Sequence, residues 1–435
     1  MKNSYLTQAP NSRRRVLQGI VGAAAMLGVG LGSLAQTRST SMGRAGTTSF
    51  TLPSASDAIE SFSVHVPQSL LDDLKQRLEA TRWPDRETVQ DWSQGVPLER
   101  LKSVVEYWRM SYDWRSVEKT LNSFAQFRTL IDGLGIHFLH VRSPHPDALP
   151  IVLTHGWPGS VIEFLKVIRP LTDPISYGGS AKDAFHVVVP SLPGFGFSDK
   201  PTTSGWNIPR IAQAWALLMK KLGYARWVAQ GGDFGAGVTT ALGHLRPQGL
   251  AAIHLNWQFV FPEKIPDSEL SLDEARAVAQ ANAFLSKGYG YFLEQSTRPQ
   301  TVGYGLADSP AGQAAWIYEK FQAWTDSNGD PETVLSRSQI LDDISLYWLT
   351  DTAASSARIY WENFPASFAG GRIDLPVAAT VFPKEIYQAP RSWAERDYPD
   401  LIYWHEAERG GHFAAFEQPE IFVRELRAAF RTLRT

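Results

Sequence analysis

The chain has 435 residues, a length that suggests two or three folded units rather than one. Hydrophobic residues make up 43% of it and aromatic residues 12%, which is enough for large cores. A net charge of -2 gives no overall attraction to nucleic acid or acidic lipid. The absence of cysteine excludes disulfides, thiolate catalysis and cysteine-ligated metal clusters.

Residues 1–35 have the features of an export signal. Arg13 and Arg14 precede a mildly apolar run from Gly19 to Leu34, and Ser33 and Ala35 provide the small residues that a signal peptidase requires. This pattern resembles a bacterial twin-arginine signal, so we expect a periplasmic protein. The alternative is an uncleaved membrane anchor, although the run is shorter than the roughly 20 strongly apolar residues of a membrane span.

The next segments are predicted to be a flexible linker and a small, mostly helical unit. Residues 36–55 are rich in Ser, Thr and Gly, a composition typical of linkers. Within residues 56–149, leucines between Leu70 and Leu78 recur at helical spacing, and a second amphipathic helix is predicted at about 98–111. A single strand is predicted at about 136–141, before a turn rich in proline.

From residue 150 the pattern changes to short apolar strands that alternate with helices, which predicts a mostly parallel sheet with both faces covered. The predicted strands lie at 151–154, 187–190, 227–230, 377–381 and 401–404, and one intervening helix lies at about 208–222. Residues 261–371 interrupt this pattern with helices rich in Tyr and Trp. We therefore predict a core formed by residues 150–260 and 372–435, covered by a helical lid.

A nucleophile elbow is predicted at Gly231–Gly235, where the G-x-S-x-G pattern has Asp233 in place of serine. The glycines suit this position because the turn between strand and helix is too sharp for nearby Cβ atoms. The alternative is an ordinary glycine-rich turn in which the aspartate caps a helix.

The candidate partners of Asp233 follow in the order nucleophile, acid, histidine, which is the order of the α/β-hydrolase fold. Glu385 follows the predicted strand at 377–381, and His412 lies on a glycine turn before the last helix. The backbone N–H groups of Trp157 and Phe234 are candidates for an oxyanion hole. We therefore predict an α/β-hydrolase fold with a helical lid insertion and a mainly helical N-terminal extension.

The aspartate determines the class of reaction. A carboxylate attacks an electrophilic sp³ carbon and forms an alkyl ester, which water activated by His412 then hydrolyses. The leaving group is an epoxide oxygen or a halide. A halide is typically held by a Trp next to the nucleophile, where this chain has Phe234. An epoxide oxygen needs an acid, and the lid offers several phenols among which the residues alone do not choose: Tyr289, Tyr291, Tyr304, Tyr318, Tyr347 and Tyr360.

From about residue 60 onward the chain resembles the microsomal-type epoxide hydrolases, including the insect juvenile-hormone enzymes. The matching motifs are Val66-Pro67, Arg82–Asp85, Tyr112–Arg115, Asp132–Leu134, His155–Ser160, Leu192–Ser198, the elbow itself and Arg409–Glu417.

This resemblance implies that Asp233 is the nucleophile, Glu385 the orienting acid and His412 the base. It also implies that Tyr291, ahead of Thr297–Pro299, and Tyr360, in Arg358–Asn363, are the acids. The chain departs from the family at Phe234, where members often have Trp. It also departs at its N-terminus, where the membrane-bound relatives carry an anchor.

We therefore expect an epoxide hydrolase that acts on a small hydrophobic epoxide without a cofactor or metal. His137 and His140 lie three residues apart on a predicted strand, so they face opposite sides and do not form a metal site. The alternatives are a haloalkane or haloacid dehalogenase and a non-catalytic relative that only binds a ligand. No nucleic-acid partner and no stable membrane insertion of the mature chain are expected, and the sequence leaves a homodimer open.

Overall fold

The computed structural model describes residues 50–262, 270–364 and 370–434. The export signal predicted at 1–35 and most of the linker predicted at 36–55 lie outside these residues. None of the helices in the described ranges is both long enough and apolar enough to cross a membrane.

Nine strands in the described part of the chain form one sheet in the order β1-β2-β3-β5-β4-β6-β7-β8-β9. They are β1 (Glu60–Phe62), β2 (Gln126–Ile131), β3 (Leu134–Val141), β4 (Leu149–Thr154), β5 (Phe185–Pro190), β6 (Trp227–Gly231), β7 (Leu250–Leu255), β8 (Val377–Val381) and β9 (Leu401–Glu406). Strands β1 to β3 pair antiparallel and β3 pairs antiparallel with β5, whereas β4 to β9 are mutually parallel.

Helices cover the parallel part of this sheet. Consecutive side chains from Ile151 to Leu153 on β4 are all fully buried. Successive side chains of a strand point to opposite faces, so both faces of the sheet are covered. The helices of the core and the N-terminal segment are α1 (Gln68–Glu79), α2 (Leu98–Met110), α3 (Trp114–Leu121), α4 (Leu165–Thr172), α5 (Ile208–Lys221) and α6 (Asp233–Leu245). The predicted fold class is confirmed.

The lid lies between β7 and β8, and its described residues form helices joined by loops, with no strand. Its helices are α7 (Leu272–Ala283), α8 (Gly290–Thr297), α9 (Pro299–Asp308), α10 (Pro310–Trp324), α11 (Arg337–Leu349) and α12 (Ala353–Asn363). After β8 the chain returns to the core with α13 (Arg391–Asp397), α14 (Ala414–Glu417) and α15 (Pro419–Ala429). The lid is therefore an insertion between two neighbouring parallel strands.

The N-terminal segment contributes both to the sheet and to the support of the lid. The sequence predicts one strand in this segment, and the structure adds β1 and β2 beside it. Its helices α1 and α2 pack against α10 of the lid. The Trp108 indole N–H donates to Ser345 Oγ at 2.9 Å, and the Tyr112 hydroxyl donates to Asp342 at 2.9 Å. This segment therefore fixes α11 of the lid relative to the core.

Candidate active site

The turn from β6 into α6 is as tight as a nucleophile elbow requires. Asp233 adopts a positive φ of 49°, a conformation that is uncommon for a residue with a side chain. A Cβ at Gly231 would overlap the carbonyl group of Gly235, and a Cβ at Gly235 would overlap the carbonyl oxygen of Thr154. The glycines therefore permit the close approach that presents the Asp233 carboxylate at the carboxyl edge of the sheet.

The structure brings His412 between Asp233 and Glu385. His412 Nε2 lies 3.3 Å from Asp233 Oδ2, and His412 Nδ1 lies 2.7 Å from Glu385 Oε1. Burial alone would lower the pKa of His412, but the two carboxylates outweigh burial and raise this pKa well above its ordinary value. The imidazole is therefore protonated at neutral pH.

The loop that carries His412 is held by the end of lid helix α10. The His412 backbone N–H donates to the Trp324 carbonyl at 2.9 Å, and the Gly410 N–H donates to Asp326 at 2.9 Å. The indole rings of Trp324 and Trp257 pack edge-on against the imidazole, with centroids 5.0 and 5.3 Å away. The lid thus positions the base as well as covering the site.

One of the two expected oxyanion-hole donors points directly at the nucleophile. The Trp157 backbone N–H donates to Asp233 Oδ1 at 2.9 Å. Phe234 is buried and follows Asp233 in the first turn of α6, so its backbone lies beside the same carboxylate. The role of Phe234 in an oxyanion hole stays a prediction.

Tyr291 and Tyr360 enclose the space over Asp233 together with Trp157. The Tyr291 ring stacks on Trp157 with centroids 5.1 Å apart, and the Tyr360 ring meets Trp157 edge-on at 5.7 Å. Burial, reinforced by the charge of Asp233, raises the pKa of both phenols well above the ordinary range. The Tyr360 hydroxyl is buried and makes no hydrogen bond of normal geometry among the described residues, and the Tyr291 hydroxyl is the group that lies near enough to interact with it. Both phenols are therefore protonated.

The other lid tyrosines are engaged or lie away from Asp233. Tyr318 donates to Glu332 at 2.8 Å, and Tyr347 donates to the Gly159 carbonyl at 2.8 Å. Tyr304 is 69% exposed, and Tyr289 stacks on Phe292. The structure therefore places Tyr291 and Tyr360 beside Trp157 and over Asp233, and their role as the acids stays a prediction.

The histidines of β3 have partners within the protein. His137 hydrogen-bonds Ser191 and Gln126, and His140 hydrogen-bonds the Tyr224 hydroxyl. Across residues 50–262, 270–364 and 370–434, no group of three or more histidine or acidic side chains could hold a metal ion.

Glu163 and Asp343 are buried acids beside the site that the sequence did not reveal. Burial raises the pKa of Glu163 well above its usual range, and burial raises that of Asp343 to about 8. Ser160-x-x-Glu163 has the form of a helix capping box, so the pattern indicates a structural role for the glutamate. In the structure Ser160 caps the following turn and also donates to Asp343 at 2.6 Å, while Glu163 lines a cavity beside Asp233 and His412.

An aspartate at the elbow, an imidazole between two carboxylates and a helical lid over them are the features of an α/β-hydrolase-fold enzyme, and the role of Asp233 as its nucleophile stays a prediction. Residues 59–164 match the family described as epoxide hydrolase N terminus, and residues 150–294 match the alpha/beta hydrolase fold.

Relatives along most of the chain identify the family. A Stigmatella aurantiaca protein assigned to the epoxide hydrolases is 69% identical over 376 residues, which cover 86% of each chain. Epoxide hydrolase 1 of Sus scrofa is 35% identical over 85% of this chain and 88% of its own length. The crystal structure of juvenile hormone epoxide hydrolase from Bombyx mori superposes with a TM-score of 0.79 at 30% identity, covering 87% of this chain and 96% of that one. The chain belongs to the epoxide hydrolase family.

Proposed function

We propose that this enzyme converts a small hydrophobic epoxide and water into a vicinal diol through an alkyl ester on Asp233. The observation that carries the proposal is the pair of buried phenols over a carboxylate, with the Tyr360 hydroxyl making no hydrogen bond of normal geometry among the described residues. Epoxide opening is the reaction that uses a carboxylate and nearby acids together.

In the first half-reaction Asp233 Oδ2 attacks one carbon of the three-membered ring. Oδ1 is held by the Trp157 N–H at 2.9 Å, whereas Oδ2 makes a longer contact of 3.3 Å with His412 Nε2, so we assign the attack to Oδ2. The carbon–oxygen bond of the ring breaks, and the oxygen takes a proton from a phenol of Tyr291 or Tyr360. A protonated phenol can donate its proton to that oxygen as negative charge grows there. Without such a donor the oxygen would have to leave as a free alkoxide, which is a poor leaving group.

Alkylation also prepares the base. Esterification removes the negative charge of Asp233, which is one of the two carboxylates that raise the pKa of His412. The pKa of His412 therefore falls in the ester intermediate, and the imidazole can release its proton, which balances the proton that the phenol gave to the ring oxygen and restores the phenol. Neutral His412, still oriented by Glu385, then removes a proton from the water that attacks the carbonyl carbon of the ester. The Trp157 N–H stabilises the oxyanion that forms there.

Halide displacement is the closest alternative reaction, and the structure offers it little help. Phe234 occupies the position next to the nucleophile, and its ring packs edge-on against Tyr360 with centroids 4.7 Å apart, so it offers no side-chain N–H donor. A chain that only binds its ligand would have no use for the complete set of Asp233, Glu385 and His412.

The test is a turnover screen of the purified chain against aromatic, terpene and long aliphatic epoxides, each paired with the matching bromoalkane. We expect diol from at least one epoxide class, no bromide release, and no diol from Asp233→Ala. Bromide release without diol would establish the dehalogenase, and ligand binding without either product would establish a non-catalytic relative.

We also propose export to the periplasm through the twin-arginine pathway, supported by Arg13, Arg14 and the apolar run that follows them. Replacing both arginines with lysine should leave active enzyme in the cytoplasm, because this pathway carries folded cargo. The native chain should have its N-terminus near Gln36, and recovery of the full-length chain from the membrane would instead establish an anchor.

A further inference from the structure

A small cavity lies beside Asp233, apart from the two phenols. It is lined by Asp233, His412 and Glu163 among other residues, and neither Tyr291 nor Tyr360 contributes to its wall. The space open to the centres of water molecules is about 20 Å³. One water needs roughly 10–15 Å³ by this measure, so the cavity holds about one molecule.

The side chain of Glu163 is built into the wall of this cavity. It is only 9% exposed, and burial, which raises its pKa, is opposed by the charge of His412, which lowers it. Its Oε1 lies over Gly159, where a Cβ on that residue would overlap it. The backbone N–H of Ser160 is the donor that reaches its carboxyl group. Glycine at position 159 therefore makes room for the carboxyl group of Glu163.

The protonation state of Glu163 suits a hydrogen-bonding role better than a catalytic one. Burial keeps its pKa well above the ordinary value for Glu, although the charge of His412 acts in the opposite direction. A neutral carboxyl group presents a carbonyl oxygen that accepts a hydrogen bond from water. It does not compete with His412 for the proton, as an ionised carboxylate in the same position would.

We infer that Glu163 is a positioning residue for ester hydrolysis, and that its carbonyl oxygen holds the attacking water in this cavity. One hydrogen of the water points to Glu163 and the other to His412 Nε2, which directs a lone pair at the carbonyl carbon of Asp233. This inference rests on the proposed ester mechanism. The water oxygen bonds to that carbon and His412 takes the proton. The ester bond to the substrate oxygen then breaks, the diol leaves with the returned proton, and the carboxylate of Asp233 is restored.

The experiment is a pre-steady-state measurement that separates alkylation from hydrolysis in the full-length enzyme. Glu163→Leu removes the acceptor, and losing this hydrogen bond should slow hydrolysis by roughly tenfold. Alkylation should stay close to the parent rate. Glu163→Gln keeps a carbonyl acceptor and should restore hydrolysis to near the parent rate.

A second variant tests the same geometry without changing Glu163. Gly159→Ala should displace the carboxyl group from the cavity, because the new Cβ overlaps Oε1. Hydrolysis should slow selectively, as in Glu163→Leu, and this variant decides the matter if the leucine variant does not fold.

Three results would overturn the inference: hydrolysis at the parent rate in these variants, equal slowing of both steps, or a glutamine variant as slow as the leucine variant. A parent enzyme that turns over without forming any ester would instead refute the proposed mechanism.

Discussion

Removing the Tyr360 hydroxyl should weaken catalysis and strengthen the fold at the same time. Tyr360→Phe retains a ring that is 1% exposed and packed edge-on against Phe234 and Phe292. A single donor to a developing oxyanion contributes about 2–4 kcal/mol, so alkylation should slow by roughly 30- to 1,000-fold. Hydrolysis of the ester should be little changed, because it depends on His412, Glu385 and the oxyanion hole.

The gain in stability follows because the same hydroxyl makes no hydrogen bond of normal geometry among the described residues and has only the Tyr291 hydroxyl near it. A buried polar group that makes no hydrogen bond costs about 1–3 kcal/mol of folding free energy. Phenylalanine removes this cost and adds no new atom, so the free energy of unfolding should rise by about 1 kcal/mol or more. A rise of this size corresponds to about 2–4 °C in Tm for a large domain.

The assay combines stopped-flow measurement of alkylation with thermal unfolding of parent, Tyr360→Phe and Tyr304→Phe. Tyr304 is the matched control because it is a lid tyrosine that is 69% exposed, so its variant should change neither quantity. Alkylation at the parent rate in Tyr360→Phe would remove this residue from the set of acids. A lower Tm would show that its hydroxyl has a partner in solution.

His412→Gln should open the epoxide once and retain the ester, giving a burst of up to one equivalent and a mass increase equal to the substrate; normal turnover would require another base. Glu385→Gln should be milder than His412→Gln, because Glu385 orients the imidazole without handling the proton. Asp343 is kept protonated up to about pH 8 by burial, whereas an unfolded aspartate ionises near about 4. Between these two pKa values the unfolded chain therefore binds fewer protons than the folded one. The free energy of unfolding falls as pH rises through this range. Asp343→Asn keeps a hydrogen-bond acceptor for Ser160. In denaturant titrations it should reduce the fall of the unfolding free energy with pH by up to about 1.4 kcal/mol per pH unit. An unchanged slope would show that Asp343 ionises normally.

The features that could be predicted from the sequence are those encoded locally. The parallel strands have continuous apolar runs because both of their faces are buried, so β4, β5, β6 and β8 were predictable. The elbow was predictable because Gly231 and Gly235 have no room for a Cβ. Strand β1 has only three residues, and β2 mixes polar with apolar residues, so neither has a usable pattern.

The features that could not be predicted depend on contacts between distant segments. The residues alone did not distinguish Tyr291 and Tyr360 from the other lid tyrosines, because the distinction depends on how the lid packs over Trp157. Asp343 is fully buried on α11, and only the approach of Ser160 explains an acid at that position. Ser160 and Glu163 have the spacing of a helix capping box, but the Glu163 side chain lines a cavity beside Asp233.

The most direct test of the ester on Asp233 is a single turnover in water enriched in oxygen-18, with enzyme in excess over epoxide. Water attacks the carbonyl carbon of the ester, so the label should enter the Asp233 carboxylate and the first diol should be unlabelled. Peptide mass spectrometry locates the label at Asp233, and gas chromatography with mass spectrometry measures the diol. Label in the diol of the first turnover, with none at Asp233, would show that water opens the ring directly and would contradict the covalent mechanism.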